Sequence, residues 1–415
     1  MSQLPNLKSL AGDQSRLVLL FDPSNDGSCF LGLGCKRSIE VGGTIKDLNV
    51  FESLQKFSSL NSWTFGWMGY ELKNSFLDLN TEVENGLGLP DLAWWEPEVV
   101  IRWSENESPA ILQGDAESEL CKRGLEALKS TFIPEEYEPN EMVWAWEKED
   151  YVKSYNSVNE LIQAGDVYEL NLCQNLSGTA PASSSWDLFA NLCSKTKAPF
   201  SAYFQCGSSR VMSGSPERFI KRIGDKLISQ PIKGTIARGA NEEEDKKLIE
   251  ELRNSEKERA ENIMIADLVR NDLSRVAKRG SVEVVDLCGI HTFETVHQMI
   301  TEVNCEVKPQ TGLSEILKAT FPMGSMTGAP KISAMKNIDN IEAKGRGVYS
   351  GSLGYISPTG DFDFNVLIRS LFHNTETEKI EASVGGAITS LSNVEDEFKE
   401  CGLKAEAIIQ TVKGE

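Results

Sequence analysis

The sequence predicts an α+β fold in which the strands form antiparallel sheets. Short β-type runs follow one another across tight turns, which is the arrangement from which hairpins form. Helical stretches separate groups of these strands, but the strand–helix–strand spacing that produces parallel sheets does not recur. The 415 residues suffice for one large domain or two ordinary ones, and no internal repeat is visible.

The predicted elements are clearest after residue 150. Tyr151, Tyr155 and Val158 recur at helical spacing before Gly165, and the residues after Val167 alternate like a strand. In chain order we predict a helix over 151–164, a strand from 167, hairpins over 201–236, two helices over 241–279, three antiparallel strands over 347–389 with turns at 358–361 and 374, and a helix over 394–412.

One shift in composition predicts a boundary between two regions. The stretch from Ile133 to Asn140 is acidic and contains two prolines, whereas the segments on both sides read as regular structure. We therefore divide the chain into an N-terminal region, 1–140, and a C-terminal region, 145–412.

The composition excludes several classes of function. Hydrophobic residues make up 40% and charged residues 25%, as in soluble globular proteins, and no apolar run is long enough for a membrane helix. Nine cysteines without a C-x-x-C pair fit a reducing cytoplasm. A net charge of −20 argues against nucleic acid as a partner. An anionic substrate would need a few cations, or a metal ion, concentrated in one pocket.

The predicted helical segment from Ser255 to Leu268 carries two glutamates on one face. Glu258 and Glu261 are three residues apart, and apolar residues on both sides predict that the helix is buried. A lone carboxylate in such a place is costly unless it is paired or coordinated. Ser255 precedes Glu258 at the spacing of a capping box, which is an alternative role for Glu258.

The last helix repeats this spacing. Glu397 and Glu400 are three residues apart, and Lys404 follows one turn later. Taken alone, such a pair more often marks a solvated face. Four carboxylates on two helices nevertheless fit a hard divalent cation such as Mg²⁺, which keeps part of its shell for water and substrate oxygens.

A glycine-rich turn lies at Gly324–Lys331. Its spacing departs from that of a phosphate-binding loop, because three residues rather than four separate the glycines and Ala-Pro displaces the lysine. We therefore reject nucleotide binding. The turn can still offer backbone N–H groups to an anion such as a carboxylate.

The C-terminal region, from about residue 145 to 410, resembles the chorismate-binding enzymes, which include anthranilate, aminodeoxychorismate, isochorismate and salicylate synthases. The motifs that carry the resemblance occur in the family's order: Gly165-Asp-Val-Tyr-Glu-Leu-Asn-Leu, Ser215-Pro-Glu-Arg-Phe, Pro231-Ile-Lys-Gly-Thr, Ala260-Glu-Asn-Ile-Met-Ile-Ala-Asp-Leu, Thr327-Gly-Ala-Pro-Lys, Arg346-Gly-Val-Tyr-Ser-Gly, Ile368-Arg and the helix with Glu397 and Glu400. The resemblance implies two large antiparallel sheets packed as a sandwich with helices outside.

The resemblance also implies a site for chorismate, which is a dicarboxylate. It places Mg²⁺ between the ring carboxylate and Glu261 and Glu400, with Glu258 and Glu397 as a second pair that acts through water. The residues implied to hold the carboxylates of the substrate are Ser325, Thr327, Tyr349, Arg369, Lys404 and the backbone at Gly385 and Gly386.

Lys233 distinguishes between the reactions of the family. Relatives that activate water carry a lysine where this chain has Glu169, and anthranilate synthases carry alanine at the position of Lys233. Aminodeoxychorismate synthases carry lysine there, and Tyr168 and Asn171 support this choice. The resemblance implies that Lys233 adds to ring carbon C2 while Glu217 protonates the departing C4 hydroxyl. We expect burial or nearby cations to lower the pKa of Lys233, because the amine must be neutral to react.

Two alternatives remain: an anthranilate synthase, and a catalytically silent regulator that binds chorismate or an amino acid. No glutaminase triad is visible, so the resemblance implies that a separate glutamine amidotransferase subunit supplies ammonia.

A histidine that contacts the ring in many relatives aligns with Gln298, and the neighbouring His297 should point to the opposite face of its strand. A tryptophan site of the kind some relatives have would lie near residues 19–24.

Overall fold

A computed structural model describes residues 4–21, 28–42, 49–77, 79, 86–104, 107–133, 137, 140–342 and 344–414. The α-helices in these residues are α1 Lys8–Asp13, α2 Val50–Ser58, α3 Glu119–Leu128, α4 Lys148–Ala164, α5 Ser185–Thr196, α6 Glu242–Asn254, α7 Glu256–Ser274, α8 Leu313–Thr320, α9 Lys331–Glu342 and α10 Val394–Lys413. The predicted helices over 151–164, 241–279 and 394–412 are confirmed as α4, α6 with α7, and α10.

The strands alternate with these helices without a regular order. They are β1 Arg16–Phe21, β2 Cys29–Leu33, β3 Arg37–Val41, β4 Thr64–Met68, β5 Leu92–Glu96, β6 Val99–Ser104, β7 Glu107–Gln113, β8 Val143–Trp144, β9 Glu169–Thr179, β10 Phe200–Cys206, β11 Ser209–Ser215, β12 Arg218–Ile223, β13 Lys226–Gln230, β14 Ile232–Ala237, β15 Glu283–Thr292, β16 Val296–Glu306, β17 Gly328–Ala329, β18 Ser352–Ile356, β19 Phe362–Asn365, β20 Ser370–Asn374 and β21 Lys379–Thr389.

Two large antiparallel sheets form the framework, which confirms the predicted α+β class. The first sheet has the order β17-β9-β21-β20-β11-β10-β1-β2-β6-β7, and β8 also pairs with β9. The second has the order β14-β16-β13-β12-β19-β18-β4-β5-β3, and β15 also pairs with β16. All of the described strand pairs are antiparallel, as hairpins and meanders require.

The two sheets pack face to face around a shared core. Strand β1 shows how the first sheet is built: Val18 and Leu20 point into the core between the sheets, while Leu17 and Leu19 point to the outer face. There, α4 and α10 cover the sheet. Trp95 of β5 meets Phe204 of β10 edge to face across the core, with ring centroids 5.7 Å apart.

The N-terminal and C-terminal regions share both sheets. In the first sheet β1 pairs with β10 and places Leu19 opposite Tyr203; in the second, β4 pairs with β18 and places Gly66 opposite Gly354. The division at 1–140 and 145–412 remains a prediction about sequence organisation, and residues 134–136, 138 and 139 of the boundary stretch lie outside the described residues. Residues 22–24 of the stretch considered for tryptophan also lie outside them.

The prediction of three strands over 347–389 was wrong, because this segment contains four. The turns near Gly360 and Asn374 are confirmed, but between β19 and β20 the chain crosses from the second sheet to the first. The crossing residues, Val366–Ile368, are apolar and largely buried, so their pattern could not be distinguished from that of a strand. Arg369 ends the crossing with a φ of 52°, in the left-handed region.

Within the described residues, no helix is both long enough and apolar enough to cross a membrane.

Candidate active site

A cleft of about 470 Å³ opens where the two sheets, α7 and α10 meet. This volume suits a small organic ligand. The residues of the implied site that line it are Glu217, Lys233, Glu258, Ser325, Tyr349, Arg369, Gly385, Glu400 and Lys404. The fold thus brings together side chains that are separated by up to 187 residues in the chain.

Strand β9 forms the floor of the cleft through alternate residues. Leu170 and Leu172 face the helix-covered core, so Asn171 and Cys173 face the other side. Asn171 donates its amide to the Ser325 carbonyl over 3.1 Å, and the Cys173 sulfur lies 3.5 Å from the Tyr349 hydroxyl. These contacts join the floor to the glycine-rich turn and to the segment before β18. Tyr168, by contrast, is exposed at the surface.

Glu217 lies in the cleft just before β12. Its carboxylate accepts a hydrogen bond from the Ser325 hydroxyl over 2.7 Å, while Arg218 points the other way and forms an ion pair with Asp363 at 2.9 Å. Glu217 and Arg218 thus have different partners and do not pair with each other. Burial raises the pKa of Glu217 from 4.5 to about 7, although Ser325 and Lys233 act to lower it. Glu217 can therefore hold a proton near neutral pH and deliver it to a substrate oxygen.

Lys233 lies on β14, beside Gly234, whose φ of 89° favours glycine. Its amine is 3.2 Å from Glu169 Oε1, and its side chain is only 11% exposed. The expectation of a lowered pKa was wrong. Burial does lower the pKa of Lys233, but Glu169, Glu261 and Glu217 together raise it above its ordinary value. In the structure as it stands, the amine is a protonated cation.

Three further groups in the cleft suit the carboxylates of a substrate. The Arg369 guanidinium forms no ion pair with any described residue, and burial lowers its pKa without removing its charge. Lys404 donates to the Gly385 carbonyl over 2.8 Å and pairs with Glu400 at 2.6 Å. Tyr349 is 3% exposed and presents a hydroxyl donor. Since Glu400 neutralises Lys404, Arg369 supplies the positive charge of this corner that is not paired with any described residue.

The glutamates on α7 and α10 surround Lys257, which we had not predicted to lie in the site. Its amine is 2.9 Å from Glu397 and 3.9 Å from Glu261. Burial raises the pKa of Glu261 to about 7 and also raises that of Glu258. For Glu400, burial acts in the same direction, but Lys404, Lys257 and Lys233 hold the pKa below its usual range.

The capping alternative for Glu258 involves only its backbone. Ser255 Oγ accepts from the Glu258 N–H over 3.3 Å, while the Ser255 N–H itself donates to the Leu252 carbonyl. The Glu258 carboxylate is thus left to the cleft, where it approaches Gly234.

Carboxylates such as those of the four glutamates are the ligands that a hard divalent cation prefers. Glu261 Oε1 is buried and has no hydrogen-bond partner in the part of the chain that the structure describes, so a cation at this position would satisfy it. Glu258 and Glu400 add carboxylates at the adjoining cleft wall. Among the same residues, no three acidic, histidine or cysteine side chains are already arranged as a metal cage. Lys257 and Lys404 instead neutralise these carboxylates.

Four residues of the implied site lie behind the cleft wall rather than on it. Thr327 donates its hydroxyl to the carbonyls of the preceding turn, Glu397 is buried against Lys257, and a side chain at Gly386 would come within 3.1 Å of Glu397. Glu261 is the fourth. Thr327 and Gly386 therefore shape the wall through the backbone.

His297 points away from the cleft, as the alternation of its strand predicted. Its ring nitrogens contact Thr292 Oγ1 at 2.9 Å and Asp245 Oδ1 at 3.0 Å, and the side chain is fully buried. The neighbouring Gln298 lines the cleft. His297 thus anchors the start of α6 and is not a group of the site.

Arg346 supports the site from below, a role that we did not predict. It is buried, pairs with Glu342 at 2.6 Å, and donates to the carbonyls of Met326 and Asn171 over 2.6 and 2.8 Å. It thereby joins the glycine-rich turn to the floor strand. Its guanidinium also lies 4.7 Å from the ring centroid of Tyr70, in the N-terminal region.

Comparison with known proteins agrees with this geometry. A model of the family described as chorismate binding enzyme matches residues 18–410. The chain is 34% identical over 358 residues to aminodeoxychorismate synthase component 1 of Escherichia coli (strain K12), covering 84% of this chain and 76% of that protein. It is 39% identical over 282 residues to the chloroplastic aminodeoxychorismate synthase of Arabidopsis thaliana, covering 67% of this chain but 29% of that longer protein.

The fold is similar to that of anthranilate synthase component I from Streptococcus pneumoniae TIGR4. The TM-score is 0.81 at 24% identity, and the alignment covers 93% of this chain and 92% of that one. This similarity confirms the predicted two-sheet fold.

Proposed function

Because this chain belongs to the family of chorismate binding enzymes, we propose that it acts as an aminodeoxychorismate synthase component 1. It would convert chorismate and ammonia to 4-amino-4-deoxychorismate, on the route to p-aminobenzoate and folate. The observation that carries the proposal is the presence of Lys233 and Glu217 in one cleft. A nucleophilic amine and an acid with a pKa of about 7 are the two groups that this substitution needs.

The reaction proceeds in two displacements. The neutral amine of Lys233 adds to ring carbon C2 as the C4 hydroxyl leaves, and Glu217 gives that hydroxyl its proton so that water departs. Ammonia then adds at C4 and expels the lysine from C2. Glu217, now ionised, takes a proton from the new ammonium group and is reset. Arg369, Tyr349 and Lys404 hold the carboxylates of the substrate while the ring reacts.

Glu258, Glu261, Glu397 and Glu400 would hold Mg²⁺. The bound ion would neutralise the ring carboxylate and orient it. The support for this assignment is the unsatisfied, buried oxygen of Glu261.

Ammonia would come from a separate glutamine amidotransferase subunit. The name of the Escherichia coli relative, component 1, supports a second component. Cys29 is fully buried in β2, in the same cluster as Leu17 and Leu19 on the helix-covered face of the first sheet.

The test is product analysis with purified protein, chorismate, Mg²⁺ and an ammonium salt. We expect 4-amino-4-deoxychorismate by chromatography and mass spectrometry. Direct formation of fluorescent anthranilate would refute the proposal in favour of an anthranilate synthase, and binding of chorismate without turnover would favour a regulator.

A pair of lysine variants tests the covalent step. Lys233→Ala should reduce turnover at least about 1,000-fold and abolish the substrate-derived mass increase on the intact protein. Lys247→Ala is the matched control, because Lys247 is an exposed lysine on α6 that pairs with the exposed Glu243. Full activity of Lys233→Ala would remove the lysine from the mechanism.

A further inference from the structure

We propose that Glu169 is the proton acceptor that converts Lys233 from a cation into a nucleophile. The inference rests on the proposed function, since it concerns the first step of that reaction. It starts from the ion pair in the cleft, in which the Lys233 amine stands 3.2 Å from Glu169 Oε1. A protonated amine cannot attack carbon, so the reaction requires a base at this atom.

Glu169 is the described carboxylate that comes within ion-pair distance of Lys233. The other acidic groups that face the amine are occupied elsewhere. Glu217 is held by the Ser325 hydroxyl, Glu261 on α7 lies 3.9 Å from Lys257, and Glu400 on α10 is paired with Lys404. Glu258, also on α7, lines the cleft beside Gly234.

Glu169 is placed to receive a proton from Lys233. It is fully buried, and apart from the Lys233 amine 3.2 Å away no hydrogen-bond donor among the described residues is aligned on either of its carboxylate oxygens. No other described donor therefore competes with the lysine for this carboxylate. The backbone at Glu169 pairs with Ala329 on one side and Thr389 on the other, so the carboxylate stays in position through the cycle.

The protons and electrons balance over the cycle. Glu169 takes one proton from the Lys233 ammonium group, and the freed electron pair forms the bond from nitrogen to C2. Glu217 supplies a different proton to the leaving C4 hydroxyl. When ammonia binds C4, the bond from C2 to nitrogen breaks and its electron pair returns to the lysine. Glu169 then gives its proton back to Lys233, and Glu217 regains a proton from the new ammonium group. Both residues are thus reset, and water is the by-product.

The experiment compares wild type with Glu169→Gln and Glu169→Asp. Adduct formation is followed by intact-protein mass spectrometry in single turnovers without added ammonia, between pH 6.5 and 9.5. For Glu169→Gln we expect a rate about 100-fold lower near pH 7. The ratio of this rate to the wild-type rate should then rise roughly tenfold per pH unit, because only in the variant must the amine lose its proton to solvent. Loss of the Glu217 proton above about pH 7 slows both proteins alike and leaves this ratio unchanged. Glu169→Asp should recover part of the rate.

Three outcomes would overturn the inference. A faster adduct step in Glu169→Gln would show that the carboxylate only holds the lysine protonated. An unchanged rate would show that it has no part in the step. A loss that is equal at every pH, together with a lower melting temperature, would show a purely structural role.

Failure of this inference can be distinguished from failure of the proposed function. The proposed function fails if wild type does not form 4-amino-4-deoxychorismate, whatever the variants do. If wild type forms this product, the Glu169 variants alone decide whether Glu169 accepts the proton of Lys233. The KM for chorismate should change less than about threefold in Glu169→Gln, because Glu169 lies behind Lys233 and not on the cleft wall.

Discussion

Replacing Glu217 with glutamine should make the protein more stable at pH 8 while it removes activity. Glutamine keeps the size of the side chain and can still accept from the Ser325 hydroxyl. In the folded protein the pKa of Glu217 is raised from 4.5 to about 7, so burial opposes the charged form. Each pKa unit corresponds to 1.36 kcal/mol, and the charged carboxylate therefore costs the folded state about 3 kcal/mol.

The sign of the effect follows from the direction of the pKa change. Below about pH 4.5 the carboxyl is protonated in both the folded and the unfolded protein, and no penalty exists. Between pH 4.5 and 7 the folded protein retains a proton that the unfolded chain has lost, so its stability falls as pH rises. Above pH 7 the full penalty is present. The gain from Glu217→Gln should hence be small at pH 5 and reach about 3 kcal/mol at pH 8.

The assay is urea unfolding of both proteins at several pH values, without substrate or Mg²⁺. Glu250→Gln is the control, because Glu250 is exposed on α6 and is 58% accessible. A gain of the same size at every pH, or none at pH 8, would refute the view that Glu217 is an acid with a raised pKa. Turnover by Glu217→Gln should fall at least about 100-fold.

Three further predictions concern the walls of the cleft. Lys257→Met should strengthen Mg²⁺ binding severalfold in isothermal titration calorimetry, because the lysine competes with the ion for Glu397; unchanged or weaker binding would contradict this. Arg346→Met leaves the buried Glu342 without its cation and should lower the free energy of unfolding by about 3–5 kcal/mol, measured with urea. Arg369→Lys should raise the KM for chorismate at least about tenfold in steady-state kinetics, because lysine cannot reproduce the fork of donors; an unchanged KM would remove Arg369 from substrate binding.

The framework and the glutamate pairs could be predicted because their signals are local. The spacing of Glu258 and Glu261 places both on one helix face wherever that helix lies, and the cap at Ser255 fixes where the helix begins. Hairpin turns at Gly207 and Gly224 are similarly set by backbone conformations that favour glycine. Short-range rules suffice for such features.

The ionisation of the site could not be predicted, since it depends on distances between remote segments. Glu169 and Lys233 are 64 residues apart, and the sequence does not indicate that they meet at 3.2 Å. We expected the cations of the cleft to dominate at Lys233, whereas the carboxylates do. The position of Lys257 could not be predicted for the same reason. The spacing of Lys257 and Glu261, four residues apart, is typical of an exposed ion pair on one helix, but the Lys257 amine pairs with Glu397 on α10.

These pairings imply how the cleft accepts a doubly charged substrate. Lys233, Lys257 and Lys404 are each already neutralised by a glutamate, so of the cations in the cleft only Arg369 remains free of an ion pair among the described residues. A dicarboxylate entering alone would bring two negative charges to a site that offers one unpaired positive charge. A divalent ion bound by the glutamates would release their lysines toward the substrate. We therefore expect chorismate and Mg²⁺ each to raise the affinity for the other by the same factor, as thermodynamic linkage requires.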